Sequence, residues 1–251
     1  MKHIFIELSE NTVRFFKSSG DVVQKFEFTF TDKKDYRYKE QLDDFLEQAG
    51  LKLQDFEECT ISWSSFRSTL IPSNIFSESN PEALFSLCYG KEIPLSHVDY
   101  NRIPEQGIVN LFEIPLWVKS FFVIRFPRSV IQHEGSHLIR GMFAKPSFKL
   151  KAQLLVYANY FVLAIVKENK LQFYSMFNYQ ENDDIVYNLM FSLQQKEFMD
   201  EISAVQVFPG VGSSNVNCED LVQKLSSLSD LKKASITVNT DFILNSQKRC
   251  V

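Results

Sequence analysis

Polar and apolar positions alternate in three short runs at the start of the chain. In HIFIELSENTVRFFKSSGDVVQKFEFTF, residues 3–30, the breaks fall at SENT and SSGD, and Phe26, Phe28 and Phe30 share one side of the third run. A period of two is that of a strand with one buried face. The layout returns at residues 152–179, AQLLVYANYFVLAIVKENKLQFYSMFNY, with ANY and KENK as breaks and Phe173, Ser175, Phe177 and Tyr179 on one side. Each segment predicts a three-stranded meander.

The period then changes. In YRYKEQLDDFLEQA, 36–49, Leu42, Phe45, Leu46 and Ala49 recur at helical spacing, and Gly50 stands just past the end, where a left-handed residue commonly closes a helix. DDIVYNLMFSLQQKE, 183–197, holds the same place after the second meander, with Asp183 and Asp184 at its start, the positive end of the helix dipole. Strands follow at CTISW, 59–63, and SAVQVF, 203–208; helices at PEALFSLCY, 81–89, and CEDLVQKLSSL, 218–228; closing strands at SVIQHE, 129–134, and ASITVN, 234–239. Both halves read β-β-β-α-β-α-β. The first spans 1–150 and the second 151–251, with an insertion in the first at about 91–126.

Within that insertion, IPEQG (103–107) is a polar turn, VNLFEI a strand, and Pro115 opens a helix, LWVKSFFVIRF, that is apolar on every side. A helix apolar all round must bury its second face somewhere. One outcome is a partner surface through Trp117, Phe121 and Phe122; Trp117→Ala or Phe121→Ala would then weaken association and leave the monomer folded. The other is burial wholly within the first half.

Composition narrows the function classes. The chain has 251 residues, 45% hydrophobic and 23% charged, enough to bury a core. Its net charge of −4 is scattered, without a basic stripe, so no nucleic-acid partner is expected. The most apolar stretch, 114–126, is broken by Lys119 and Arg125 and too short to span a bilayer. No secretory signal is recognisable, and Cys59, Cys88, Cys218 and Cys250 lie far apart, as in a reduced cytoplasmic protein. Glycine numbers 8, where average usage of about 7% gives roughly 18.

HEGSH at 133–137 is the one metal-like motif. Zinc chemistry would need a continuous helix that puts His133 and His137 on one face with the glutamate as base. A helix through this segment would carry Glu134 and Gly135 on the same face as Ile131, Leu138 and Met142. The repeat instead makes SVIQHE a strand, Gly135 a turn and Ser136 the cap of a helix, which separates the two histidines. No Asp, Glu or His occurs between His137 and Glu168 to supply a third ligand. A zinc peptidase is the remotest of the alternatives.

Two tandem units of this kind form the layout of the actin-like ATPase, or ribonuclease H-like, superfamily. Over nearly its full length, and chiefly through NYFVLAIVKENKLQFYSMFNYQENDDIVYNLMF (159–191), VNLFEIP (109–115) and RFPRSVIQHEGSHLIRG (125–141), the chain resembles an uncharacterised bacterial family of that fold. The resemblance implies an α/β architecture of duplicated βββαβαβ units. It also implies that ATP and magnesium, if bound, would be held by D-x-G-like hairpins after the first strand of each half, where glycine lets backbone N–H groups close on phosphate.

This chain departs from that pattern. Glu7 stands near the aspartate position of the first hairpin, and Ser9 stands where glycine is needed; Tyr157 and Asn159 replace both in the second, beside Tyr160 and Phe161. FPGVGSSN at 208–215 lies where the superfamily contacts adenosine, so Gly210 and Gly212 complete the candidate nucleotide set with Glu7 and Ser9. As a plain turn, the same glycines would supply positive φ and Ser213 to Asn217 a cap. The leading expectation is a catalytically degenerate, non-enzymatic module without cofactor or metal that binds another protein or itself, and no membrane. The alternative is an ATPase with atypical phosphate loops.

Overall fold

The computed structural model describes residues 2–19, 22–90, 97–126, 128–144, 148–213 and 216–248. In the first meander Ile4, Ile6 and Leu8 alternate with His3, Phe5 and Glu7, and the strands β1 (His3–Ser9), β2 (Thr12–Ser19) and β3 (Val22–Thr29) pair antiparallel. The tip of the SSGD turn, Gly20 and Asp21, lies outside the described residues. Helix α1 (Asp35–Gln48) follows, closed by Gly50 at φ +62. Strand β4 (Glu58–Ser64) lies parallel to β1, and β8 (Arg128–His133) parallel to β4.

The second meander is β9 (Leu150–Val156), β10 (Tyr160–Lys167) and β11 (Lys170–Asn178). Glu168 and Asn169 join β10 to β11 with φ of 51 and 58, the two left-handed residues of a tight hairpin turn. Then come α5 (Asn182–Gln195), β12 (Ile202–Pro209), α6 (Cys218–Ser227) and β13 (Ser235–Val238). Asp184 accepts the Glu181 N–H in a capping box at the start of α5, and Asn217 caps α6 through the Asp220 N–H at 2.9 Å. The sheet orders are β3-β2-β1-β4-β8 and β11-β10-β9-β12-β13. Position for position they are the same, the mixed-sheet order of a ribonuclease H-like unit.

Each sheet has its own core. Ile4, Ile6, Leu8, Val13, Phe15, Ile61 and Trp63 meet Tyr38, Leu42 and Leu46 of α1; in the second, Leu154, Phe161, Leu163 and Val207 meet Leu189 of α5 and Leu221 and Leu225 of α6. The faces away from these helices differ. Leu155, Val162, Ala164 and Phe208 pack with Leu138 and Met142 of α4 (Glu134–Phe143) and Ile243 of α7 (Phe242–Gln247). Strand β10 is therefore buried on both faces, which explains its unbroken apolar run. On the first sheet the corresponding positions carry Glu7, Arg14, Thr60 and Ser62, and the Gln247 amide donates to the Ile6 carbonyl at 2.8 Å. The sheets divide the chain near residue 150; the compact units are Met1–His137 with Gln247–Val251, and Leu138–Ser246.

The insertion differs from the expectation. Directly after β4 the chain forms β5 (Ser68–Pro72), α2 (Pro81–Tyr89), β6 (Val98–Ile103) and β7 (Ile108–Glu113), and the strands make a separate antiparallel sheet in the order β5-β7-β6. Phe85 of α2 packs with Ile71, Val109 and Leu111 of that small sheet and not with the large one. Its place over the large sheet belongs to α3 (Leu116–Arg125). The inserted part is thus about 68–113, not 91–126, and α3 is part of the repeated unit; residues 91–96 and Pro127 lie outside the described residues.

This reassignment corrects the expected partner surface. Trp117, Phe121 and Phe122 are 4%, 0% and 0% exposed. The Trp117 ring stacks on Tyr38 at 4.4 Å and meets Phe30 and Trp63 edge-on at 6.0 and 6.5 Å. These three aromatics hold the first core together, and the outer face of α3 is made of other residues.

Candidate functional site: two hairpins and a buried motif

The β1–β2 hairpin is closed by its own serine. Ser9 Oγ accepts the N–H groups of Asn11 at 3.2 Å and Thr12 at 3.0 Å, and donates to the Thr12 carbonyl at 3.2 Å. An anion held here would need those same N–H groups as donors. Tyr38 donates its hydroxyl to the Glu10 carbonyl at 3.0 Å, and Lys33 bonds the Asn11 side chain.

Glu7 sits two residues before Ser9, opposite Arg14, whose Nη1 is 3.4 Å from its carboxylate while Nε bonds Glu27 at 3.0 Å. Burial raises the Glu7 carboxyl to about 7; Arg14, and beyond it Lys25, pull the other way but less strongly, and Glu27 adds to the rise. Glu7 thus makes an ion pair across the hairpin, with an environment that favours its proton.

The second hairpin is filled by an aromatic ring. Tyr157 donates its N–H to the Tyr160 carbonyl at 2.9 Å, stacks on the Tyr160 ring at 4.6 Å, and accepts the Tyr179 hydroxyl at its carbonyl. Its ring lies on Gly210: a Cβ there would stand 2.2 Å from Tyr157 Cε1. Gly212 has φ +75, whereas Gly210 is not in the left-handed region. Gly210 is therefore required for close approach and not for positive φ, which corrects half of the turn expectation. Ser213 closes the turn onto the Gly210 carbonyl through Oγ at 2.6 Å; Ser214 and Asn215 lie outside the described residues.

Glu7 and Ser9 thus share one hairpin, and Gly210 and Gly212 share one turn, each in its own unit. Gly210→Ala is expected to destabilise the chain by about 1–3 kcal/mol through overpacking. In urea titrations that cost should vanish when Tyr157 is already alanine, and its persistence in the double variant would show that the ring is not the obstacle.

HEGSH is split between β8 and α4, as the repeat predicts, but Gly135 and Ser136 are not turn and cap. The helix starts at Glu134, and both residues are inside it. His133 caps it instead: Nδ1 accepts the Gly135 N–H at 3.1 Å and lies 3.3 Å from Asn110 Nδ2, while Nε2 is 3.1 Å from the Ser65 carbonyl. Two donors at Nδ1 and a carbonyl at Nε2 assign the neutral Nε2–H tautomer, in keeping with burial pushing its pKa down to about 4.

Ser136 Oγ joins Asn101 and Asn110, both at 3.0 Å, and the His133 N–H bonds Asn101 at 2.7 Å. The motif therefore ties the inserted sheet, through β6 and β7, to the end of β8. Sequence reasoning missed Asn101 and Asn110 because polar residues in an inserted strand carry no local sign of a buried partner. Among the described residues no group of three His, Cys, Asp or Glu could hold a metal ion, and no helix is long and apolar enough to cross a membrane. Cys59, Cys88 and Cys218 are free thiols, and Cys250 lies outside the described residues.

Comparison with solved structures places this geometry. A Bacteroides thetaiotaomicron VPI-5482 protein with an actin-like ATPase fold and unknown function is similar at a TM-score of 0.76 and 18% identity, over 100% of this chain and 96% of that one. The PilM–PilN type IV pilus biogenesis complex is similar at a TM-score of 0.58 and 10% identity, over 94% and 90%. Curated protein sequences provide no match. Identities this low speak to fold alone: an α/β actin-like ATPase fold with two mixed sheets of ribonuclease H-like topology. Residues 2–221 match the family described as a protein of unknown function, DUF3822, and the chain belongs to that family.

Proposed function

We propose that this chain is a catalytically degenerate, cytoplasmic member of the actin-like fold that works by binding another protein. The observation that carries the proposal is the closed first hairpin, in which Ser9 Oγ takes the Asn11 and Thr12 N–H groups. Tyr157 against Gly210 supports the same reading in the second half. An occupied donor pair offers phosphate no gain without first breaking its own bonds, and a fold lends itself to many functions once its chemistry is lost. The similarity to PilM–PilN, a complex of two proteins, agrees with a binding role.

Millimolar Mg-ATP is expected to leave the melting temperature unchanged. A ligand at 100 times its Kd adds about 2.7 kcal/mol, which for a chain of this size is a rise of roughly 5–10 °C. A rise of that size in wild-type protein would overturn the degenerate reading in favour of an ATP-binding protein with atypical loops.

A further inference from the structure

We propose that the groove between α1 and the outer face of α3 docks a short amphipathic helix bearing acidic residues, supplied by another protein. The inference deepens the protein-binding reading above and rests on it. Its walls are Tyr36 and Lys39 on α1, and Leu116, Lys119, Val123 and Ile124 on α3, around a volume of 840 Å³. The apolar members are well exposed: Tyr36 58%, Leu116 47%, Val123 53% and Ile124 79%. The floor is rigid, because Trp117 beneath it is stacked on Tyr38. A groove between two helices receives a third by presenting an apolar stripe. From Leu116 to Ile124 that stripe is about 12 Å long at 1.5 Å per residue, the span of partner anchors at i, i+4 and i+7.

Size and charge select the occupant. Four partly exposed apolar side chains make a patch on the order of 300–500 Å², short of the roughly 800 Å² per partner of a standard stable interface. Two copies would also each bring a net charge of −4, which opposes self-association. The groove itself is flanked by lysines on opposite walls. Lys119 holds Asp99 at 2.8 Å, and Lys39 has no ion pair among the described residues. Asp35, the acidic residue of the lining, lies in the first turn of α1, where the helix dipole offsets part of its charge. Glutamates beside the apolar stripe of an incoming helix would meet Lys39, with Lys119 and its partner Asp99 on the opposite wall.

A fluorescein-labelled 18-residue Leu/Glu peptide with its leucines on one helical stripe tests this by anisotropy against the full chain. Two controls accompany it: the same composition scrambled to abolish the stripe, and a Leu/Lys version. The Leu/Glu peptide is expected to bind, Ile124→Glu to weaken it at least tenfold, and Lys39→Glu several-fold, with circular dichroism and melting temperature unchanged. Equal binding of either control, no binding of the Leu/Glu peptide, or binding indifferent to Ile124→Glu overturns the proposal. A dimer in light scattering that Ile124→Glu dissociates overturns it too, because the occupant would then be a second copy. Failure here with no response to Mg-ATP removes the groove alone; a response to Mg-ATP removes the degenerate reading and leaves the groove to stand on the peptide result.

Discussion

Trp117→Ala is expected to lower the unfolding free energy by about 3–5 kcal/mol, the cost of truncating a buried tryptophan to a cavity. The side chain is 4% exposed and contacts Tyr38 face to face and Phe30 and Trp63 edge-on. The change therefore strips three aromatic contacts as well as burial. Chemical denaturation should show the midpoint falling sharply, and Trp117→Phe should recover part of the loss because a ring still fills the space over Tyr38. A folded Trp117→Ala protein with unchanged stability and altered association would return the residue to the surface role that sequence alone left open. The contrast with Ile124→Glu is the sharper test: two residues of one helix, one expected to destabilise the chain and the other to leave its stability unchanged.

Stability should also fall as pH rises from about 4.5 to 7, by an amount that disappears in Glu7→Gln. Glu7 titrates near 4.5 in the unfolded chain and about 7 in the folded one. Below pH 4.5 both states are protonated and the group contributes its full stabilisation. Between 4.5 and 7 the unfolded chain loses the proton first, so the folded state weakens; above 7 both are ionised and the dependence ends. A difference of this width corresponds to something on the order of 3 kcal/mol. Glu27, which also faces Arg14, has its carboxyl held below the ordinary value by Lys25 and Arg14, although its own burial opposes this, so its contribution runs the other way and falls in more acid solution. Comparison of wild type with Glu7→Gln isolates the Glu7 share; identical pH profiles for the two would show that the carboxyl is not held in its neutral form.

Much of the fold was legible because its evidence is local. Alternation in 3–30 and 152–179, helical spacing in 36–49 and 183–197, and the glycine after α1 report backbone period and turn chemistry one segment at a time, and the duplication appears when the two series are set side by side. The first candidate hairpin was legible in part: Ser9 stands where a phosphate-cradling hairpin would need glycine. That its oxygen takes over the Asn11 and Thr12 donors depends on side-chain direction. Gly210 was recognised as special for the wrong reason, since the Tyr157 ring that demands it lies more than fifty residues away.

The aromatic helix marks the boundary between the two kinds of information. Its sequence established that 116–125 is a helix with more apolar surface than one face requires. Which side is buried, and whether α2 or α3 covers the large sheet, depended on where β5, β6 and β7 pair, and such contacts bring together residues far apart in the chain. The sequence by itself determined the elements, their repetition and the residue types of the two hairpins, with Ser9 and Asn159 at positions where glycine would be sought, because period, propensity and residue type act within a few neighbours. Only the tertiary structure decided that Trp117, Phe121 and Phe122 are core while Leu116, Val123 and Ile124 face outward, and that HEGSH serves to bind an inserted sheet, because burial and hydrogen-bond partnership are properties of packed pairs and not of any one segment.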